Sequence, residues 1–69
     1  MNVEEFFGAN AGKVWSALNG AANSMNVLEV SKKAKMKTTD VVAGLGWLAR
    51  EGKIAIEEKN RTQYYRLVG

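Results

Sequence analysis

The sequence predicts a small α+β domain, in which three helices precede a C-terminal hairpin of two or three β-strands. Two observations support this fold class. Apolar residues recur at helical spacing in three segments before Gly52, and after Gly52 the pattern changes to alternation. The chain has 69 residues, no proline and no low-complexity stretch, so we expect one domain over residues 1–69.

The first predicted helix covers residues 10–19, with Asn10 as its N-cap and Gly20 as its stop signal. Apolar residues at helical spacing give it one face, and Trp15 on that face is expected to lie in the core. The preceding residues 1–9 form an N-terminal arm, which fits either an extra helical turn or an extended segment. The apolar face consists of Ala11, Val14, Trp15 and Leu18.

The second predicted helix, from Val27 to about Ala34, has a stronger start signal than the first. Asn26 and Glu29 have the spacing of a capping box, in which each side chain accepts a hydrogen bond from the other residue's backbone N–H. Met25 before the cap and Val30 at the fourth helical position form a hydrophobic staple. The buried face is narrow, so the lysines of this helix must point largely to water.

The third predicted helix follows after a few residues, with Lys37 or Thr38 at its N-cap and Gly52 as its stop signal. Two glycines inside it, Gly44 and Gly46, each cost roughly 1 kcal/mol relative to alanine. Because Gly44 lies beside the apolar stripe, we expect it to permit the close approach of another helix. That stripe consists of Val41, Leu45 and Leu48.

A β-hairpin is predicted beyond the third helix. Apolar residues alternate along Ile54–Glu57, a polar turn follows at Lys59–Arg61, and strand-forming residues fill Gln63–Val68. Asn60 in the turn is suited to a positive φ. Because a two-stranded hairpin alone is marginally stable, it must pack on the helices, and Ser24–Met25 is a candidate third strand.

This order of elements, together with the residues that fill it, resembles a winged helix-turn-helix. The Asn26–Lys32 segment is similar to the first helix of that motif, and Met36 to the apolar residue of its turn. Leu48–Ile54 resembles the entry into the wing, and Tyr64–Leu67 resembles its return strand. The resemblance covers about residues 10–68 and implies that the third helix is the recognition helix.

Two stretches look in particular like a family of short, stand-alone prokaryotic winged-helix proteins of unsettled function, namely Asn10–Trp15 and Gly46–Ile54. The chain departs from the wider superfamily at the turn between the second and third helices. That turn often contains glycine, whereas the residue nearest to its position here is Lys35. A positive φ is uncommon for a residue other than glycine, which leaves a differently shaped turn open.

Composition argues for a binding module rather than an enzyme. Cysteine and histidine are absent, which excludes disulfides, Cys/His zinc sites, cysteine nucleophiles and histidine acid–base catalysis. We therefore expect no catalytic residue, no cofactor and no metal. No apolar run approaches the ~18 residues that cross a bilayer. Glu4 and Glu5 stand where a signal peptide would be positively charged, so the expected location is the cytoplasm, without a membrane partner.

Ten Lys and Arg residues against seven Asp and Glu give a net charge of +3, which is compatible with double-stranded DNA as the partner. In winged-helix proteins the third helix enters the major groove, where Thr39 and Arg50 have side chains able to bind bases. Lysines that simply coat a short helix would give the same pattern. The candidate phosphate contacts are Lys32, Lys33, Lys35 and Lys37 around the second helix, and Lys59 and Arg61 at the wing tip.

The outward face of the third helix has few hydrogen-bond donors, which favours an alternative. Val42, Ala43, Gly46 and Trp47 would leave a flat apolar surface, and such surfaces often form protein interfaces. The first hypothesis is a DNA-binding winged-helix protein, a small transcription regulator that acts as a homodimer. The alternative is a winged helix used for protein–protein interaction or homodimerisation, without DNA.

Overall fold

The computed structural model describes residues 2–68, and it has three helices followed by a two-stranded antiparallel hairpin, as the sequence predicts. The strands pair in register from Ile54 opposite Leu67 to Lys59 opposite Thr62. The elements are α1 Val3–Asn19, α2 Val27–Ala34, α3 Thr38–Arg50, β1 Ile54–Lys59 and β2 Thr62–Leu67.

Helix α1 begins at Val3, so the prediction of a helix with Asn10 as its N-cap was wrong. The cap is Asn2, whose side-chain oxygen accepts a hydrogen bond from the Glu5 backbone N–H at 2.7 Å. Asn10 lies inside the helix and is buried, with 8% of its surface exposed. The residues that fitted either a helical turn or an extended arm are helical from Val3 onward, because this earlier cap starts the helix.

Helix α2 has the predicted capping box: the Glu29 N–H donates to Asn26 at 2.8 Å, and the Asn26 N–H donates to Glu29 at 2.9 Å. The turn into α3 is left-handed at Lys35, with φ 56° and ψ 49°. The Met36 N–H donates to the Ser31 carbonyl oxygen, and the Ser31 hydroxyl donates to the Met36 carbonyl oxygen. The chain therefore makes the tight turn with lysine where glycine is usual.

The core lies where α1 and α3 cross, and Gly44 permits their contact as predicted. A Cβ at this position would lie 2.7 Å from the Asn10 carbonyl oxygen and 2.8 Å from the Val14 side chain. No side chain larger than hydrogen fits such a space without displacing the backbone of α1. The fully packed core consists of Ala11, Val14, Ala17, Leu18, Val30, Val41, Leu45 and Leu48.

The hairpin turns through Asn60 and Arg61, which both have positive φ values, at 51° and 65°. This pair of left-handed residues matches the twist of the strands that it joins. The predicted third strand is reduced to one residue: Met25 pairs with Tyr65 through two backbone hydrogen bonds, of 2.9 and 2.8 Å. Tyr65 and Leu67 face the helices and pack against the core.

Candidate nucleic-acid interface

Most of the positive charge has no ionic partner among the described residues. Of the ten basic residues, only Lys53 and Arg66 contact a carboxylate within residues 2–68, Glu51 at 3.7 Å and Glu57 at 3.3 Å. The other eight basic side chains are all exposed. They include every lysine and arginine that the sequence nominates for DNA. A phosphate group would therefore not have to displace an internal carboxylate from any of them.

Four of these cations lie in α2 and the turn that follows it. Lys32, Lys35 and Lys37 are exposed, and Lys37 directly precedes α3. Lys33 instead lies beside the end of α1, where its Nζ atom is 3.2 Å from the position of a Cβ on Gly20. The C-terminal end of a helix attracts positive charge, so Lys33 lies where the dipole of α1 favours an ammonium group.

The hairpin tip carries the remaining two phosphate candidates, Lys59 and Arg61. The Lys59 Nζ atom lies 5.7 Å from the centre of the Tyr64 ring, within the range of a weak cation–π contact. Arg61 and the two residues after it share a shallow cleft with residues 26–28 at the start of α2. The tip therefore presents two cations beside the helix-turn-helix segment.

The outward face of α3 has few side chains that can form hydrogen bonds. Thr39 and Arg50 are exposed, Ala43 is half-buried, and Gly46 presents bare backbone. Of these residues only Thr39 and Arg50 have side chains that hydrogen-bond, and Arg50 stands at the last position of the helix. Contacts to bases favour the N-terminal part of a recognition helix, so this face is suited to few base contacts.

The structure divides the predicted interface residues between the two sides of α3. Val42 and Gly46 line a groove of about 280 Å³ between α3 and the hairpin, which we call the apolar groove. Trp47 lies on the opposite side, in a cleft of about 270 Å³ that it shares with Trp15 of α1. Ala43 lines neither of these spaces. The apolar groove is lined by Val42, Leu45, Gly46, Ala49, Ile54, Ile56 and Tyr65.

Sequence reasoning missed two properties of these surfaces. Trp15 was expected in the core, but 41% of its surface is exposed, because it stands at the edge of the stripe that α3 covers. Ile56 points toward the helices as its alternation with Ala55 predicts, yet it is 59% exposed because it lines the open groove. The alternation of β1 gave the direction of Ile56 but not the distance to the opposite helix.

Two features are absent from the described part of the chain. No helix in residues 2–68 has the length and apolar character needed to cross a bilayer. Within the same residues, no three His, Cys, Asp or Glu side chains come together in a group that could hold a metal ion.

A helix pair joined by a left-handed turn, packed on a third helix and followed by an antiparallel hairpin, defines a winged helix-turn-helix domain. The chain belongs to the family described as winged helix-turn-helix domain (DUF2582), whose model matches residues 1–67. It is similar to protein BT2368 from Bacteroides thetaiotaomicron, known from a solution NMR structure, with 39% identity and a TM-score of 0.84. That match covers 93% of this chain and 77% of BT2368.

Two more distant structures share the fold alone. Reduced HlyU from Vibrio cholerae is 20% identical, with a TM-score of 0.64 over 100% of this chain and 83% of HlyU. Human N-acetylserotonin methyltransferase in complex with SAM is 16% identical, with a TM-score of 0.78, and the match covers 96% of this chain but 19% of the enzyme. No protein of curated function matches the sequence.

Proposed function

We propose that this winged-helix protein binds double-stranded DNA, chiefly through the phosphate backbone, as a small prokaryotic transcription regulator in the cytoplasm. The observation that supports the proposal is the set of exposed basic side chains that have no carboxylate partner in the described part of the chain. Six of them lie in α2, in the turn before α3 and at the hairpin tip. The proposed phosphate contacts are Lys32, Lys33, Lys35, Lys37, Lys59 and Arg61.

The same geometry limits how much sequence the domain reads. Arg50 is the one candidate for a bidentate guanine contact, which is worth about 1–3 kcal/mol of discrimination. Asp40, in the first turn of α3, repels phosphate near the end of the helix that would enter the groove first. Affinity for DNA should therefore depend on ionic strength more than on sequence, and a homodimer would double the number of phosphate contacts.

A salt titration of duplex binding tests this proposal. If one copy neutralises four or five phosphates, the logarithm of the binding constant should fall with the logarithm of the salt concentration at a slope of about −4. Fluorescence anisotropy with a labelled duplex of random sequence measures that slope. A folded protein that gives no titratable binding at low salt would reject DNA as the ligand.

Matched charge variants locate the interface. Lys32→Gln combined with Lys37→Gln should reduce the steepness of the salt slope by about 2, because two counterion-releasing contacts are lost. The control, Lys13→Gln combined with Arg66→Gln, removes the same charge from α1 and from the outer face of the hairpin. If both double variants weaken binding equally, net charge rather than this surface attracts DNA.

A second candidate function, protein association, is favoured by the apolar groove. Val42 is 55% exposed and Ile56 is 59% exposed, and they line the same concave surface. Apolar side chains grouped in a concavity mark an interface more often than scattered ones do. Analytical ultracentrifugation over a wide concentration range tests for self-association, and it separates this function from DNA binding because no nucleic acid is present.

A further inference from the structure

The first two turns of α1 project beyond the body of the domain. Helix α1 runs antiparallel to α3, and its residues 8–12 share a cleft with Leu48, Glu51 and Lys53 at the end of α3. Residues 3–7 therefore extend past that end, and residues 2–6 are all exposed. We call residues 2–7 the overhang. The domain is accordingly elongated, with extents of 37 × 24 × 22 Å.

The overhang has the composition of a helix face that is normally covered. Val3 and Phe6 are 70% and 40% exposed, whereas Val14, further along the same helix, is fully buried. The Phe6 and Phe7 rings pack edge to face, with their centres 5.2 Å apart. The stripe of α1 that forms the core thus continues into the overhang, where Val3 and Phe6 remain exposed to solvent.

The overhang is nevertheless a well-defined helix end. The Glu5 N–H donates to the Asn2 side-chain oxygen at 2.7 Å, and the Asn2 side-chain amide donates to the Glu5 carboxylate at 3.0 Å. These local hydrogen bonds therefore stabilise the first turn of α1, which does not pack against the body of the domain. It presents two exposed apolar side chains and two carboxylates, those of Glu4 and Glu5, as one preorganised unit.

The apolar groove has the complementary properties. A Cβ at Gly46 would meet no atom within 4 Å, so the backbone of α3 is open to the close approach of another helix. Val42, one turn earlier on α3, and Ile56 of β1 are exposed and line the groove together with this bare backbone. Arg50 follows Ala49 of the groove lining and stands one helical turn after Gly46; it is exposed and has no carboxylate partner within residues 2–68.

From these surfaces we infer a reciprocal dimer in which the overhang of each copy lies in the apolar groove of the other. The inference rests on the protein-association function proposed above and names its partner as a second copy of this chain. Charge selects the arrangement: overhang against overhang would bring four glutamates together, and groove against groove would oppose two arginines. Overhang against groove instead places Glu4 and Glu5 near Arg50. A two-fold axis makes both contacts equivalent.

Cysteine cross-linking tests the arrangement directly, because the chain has no cysteine of its own. Chains with Val3→Cys or Phe6→Cys are mixed with differently tagged chains with Val42→Cys or Ile56→Cys, and are oxidised with glutathione disulfide. We expect disulfides between overhang and groove chains to outnumber those between two overhang chains. The control pair, Phe6→Cys with Arg66→Cys, places the second thiol on the outer face of the hairpin. A predominance of overhang–overhang links, or no excess over the control pair, overturns the inference.

Complementation gives a second readout that does not depend on thiol geometry. Phe6→Ser and Val42→Ser should each weaken self-association about tenfold, since each removes an apolar anchor from both contacts. Mixing the two variants creates heterodimers with one intact overhang in one intact groove, so association should partly recover. If the wild-type chain associates but the mixture recovers nothing, this arrangement is wrong. If the wild-type chain stays monomeric, self-association itself fails, while the DNA titration is unaffected.

Discussion

Helix α3 has two glycines, Gly44 and Gly46, whose surroundings are opposite. At Gly44 an added methyl group would lie 2.7 Å from a backbone oxygen of α1, whereas at Gly46 it would meet nothing within 4 Å. The side of α3 toward α1 is closed, and the side toward the hairpin is open. One glycine permits a helix contact inside the domain, and the other leaves room for a contact outside it.

This difference separates stability from recognition within one helix. The closed side contributes the core residues that make the small domain fold, and the open side contributes apolar surface that the domain does not use itself. A domain of this size buries only about 60% of the surface of its unfolded chain, so few apolar residues are available both to fill the core and to form an interface. Matched substitutions on the two sides should therefore differ in size, and at the two glycines also in sign.

The largest effect is expected at Gly44. Gly44→Ala should lower the free energy of unfolding by about 3 kcal/mol, because the obstructing atom is a backbone oxygen that cannot rotate away. Urea unfolding followed by circular dichroism measures the loss, at protein concentrations below self-association. Wild-type stability of this variant would mean that α1 and α3 lie farther apart than they do here.

A pair of adjacent valines provides a matched comparison. Val41 is fully buried and Val42 is 55% exposed. Val41→Ala should cost about 2 kcal/mol through lost burial and a residual cavity. Val42→Ala should change the stability by less than about 0.5 kcal/mol, as surface substitutions usually do. Equal losses in thermal or urea unfolding would contradict the assignment of an open side to α3.

Asn10 gives an intermediate effect on the closed side. Its side-chain nitrogen is buried without a hydrogen-bond partner, and its residue is 8% exposed. Asn10→Leu should raise the unfolding free energy by about 1 kcal/mol, because the unpaired donor is removed and a similar volume is kept. A loss of stability, measured by the same urea titration, would indicate that the amide has a partner in solution.

Gly46→Ala should have a smaller effect than Asn10→Leu and the opposite sign to Gly44→Ala. The new methyl group enters open space, so the helix gains about 0.8 kcal/mol from the higher propensity of alanine. Differential scanning calorimetry should show a higher Tm. In the proposed dimer the same methyl group narrows the groove. A variant that unfolds at a higher temperature and self-associates more weakly would therefore support both the open surroundings of Gly46 and its place in the dimer contact.

Much of the fold was predictable because its signals are local. The capping box of Asn26 and Glu29 fixed the start of α2 from two residues three apart, and Asn60 marked the hairpin turn. The same three-residue spacing occurs at Asn2 and Glu5, but the regular apolar stripe of α1 begins only at Ala11, which favours a later start for the helix. Gly44 was also interpretable, since its position on the helical wheel adjoins the core stripe.

The surfaces were harder to predict because they depend on how the elements cross. Trp15 and Trp47 both stand at the edges of apolar stripes, and the position of the α1–α3 crossing decides how much of each is covered. That position is set by contacts between residues about thirty apart in sequence, such as Asn10 with Gly44. The separation of Val42 from Trp47 has the same origin, since the hairpin packs on only one side of α3.

The bridge between Met25 and Tyr65 has a mechanical consequence. Its two hydrogen bonds tie the strand nearest the C-terminus to the segment that leads directly into α2. The root of the hairpin is thereby coupled to the helix-turn-helix, whereas no backbone hydrogen bond within residues 2–68 joins the tip to the helices. Bending of the tip against a ligand can leave the base of the sheet in place. Moving the whole hairpin away from the start of α2 instead requires both backbone hydrogen bonds to break at once.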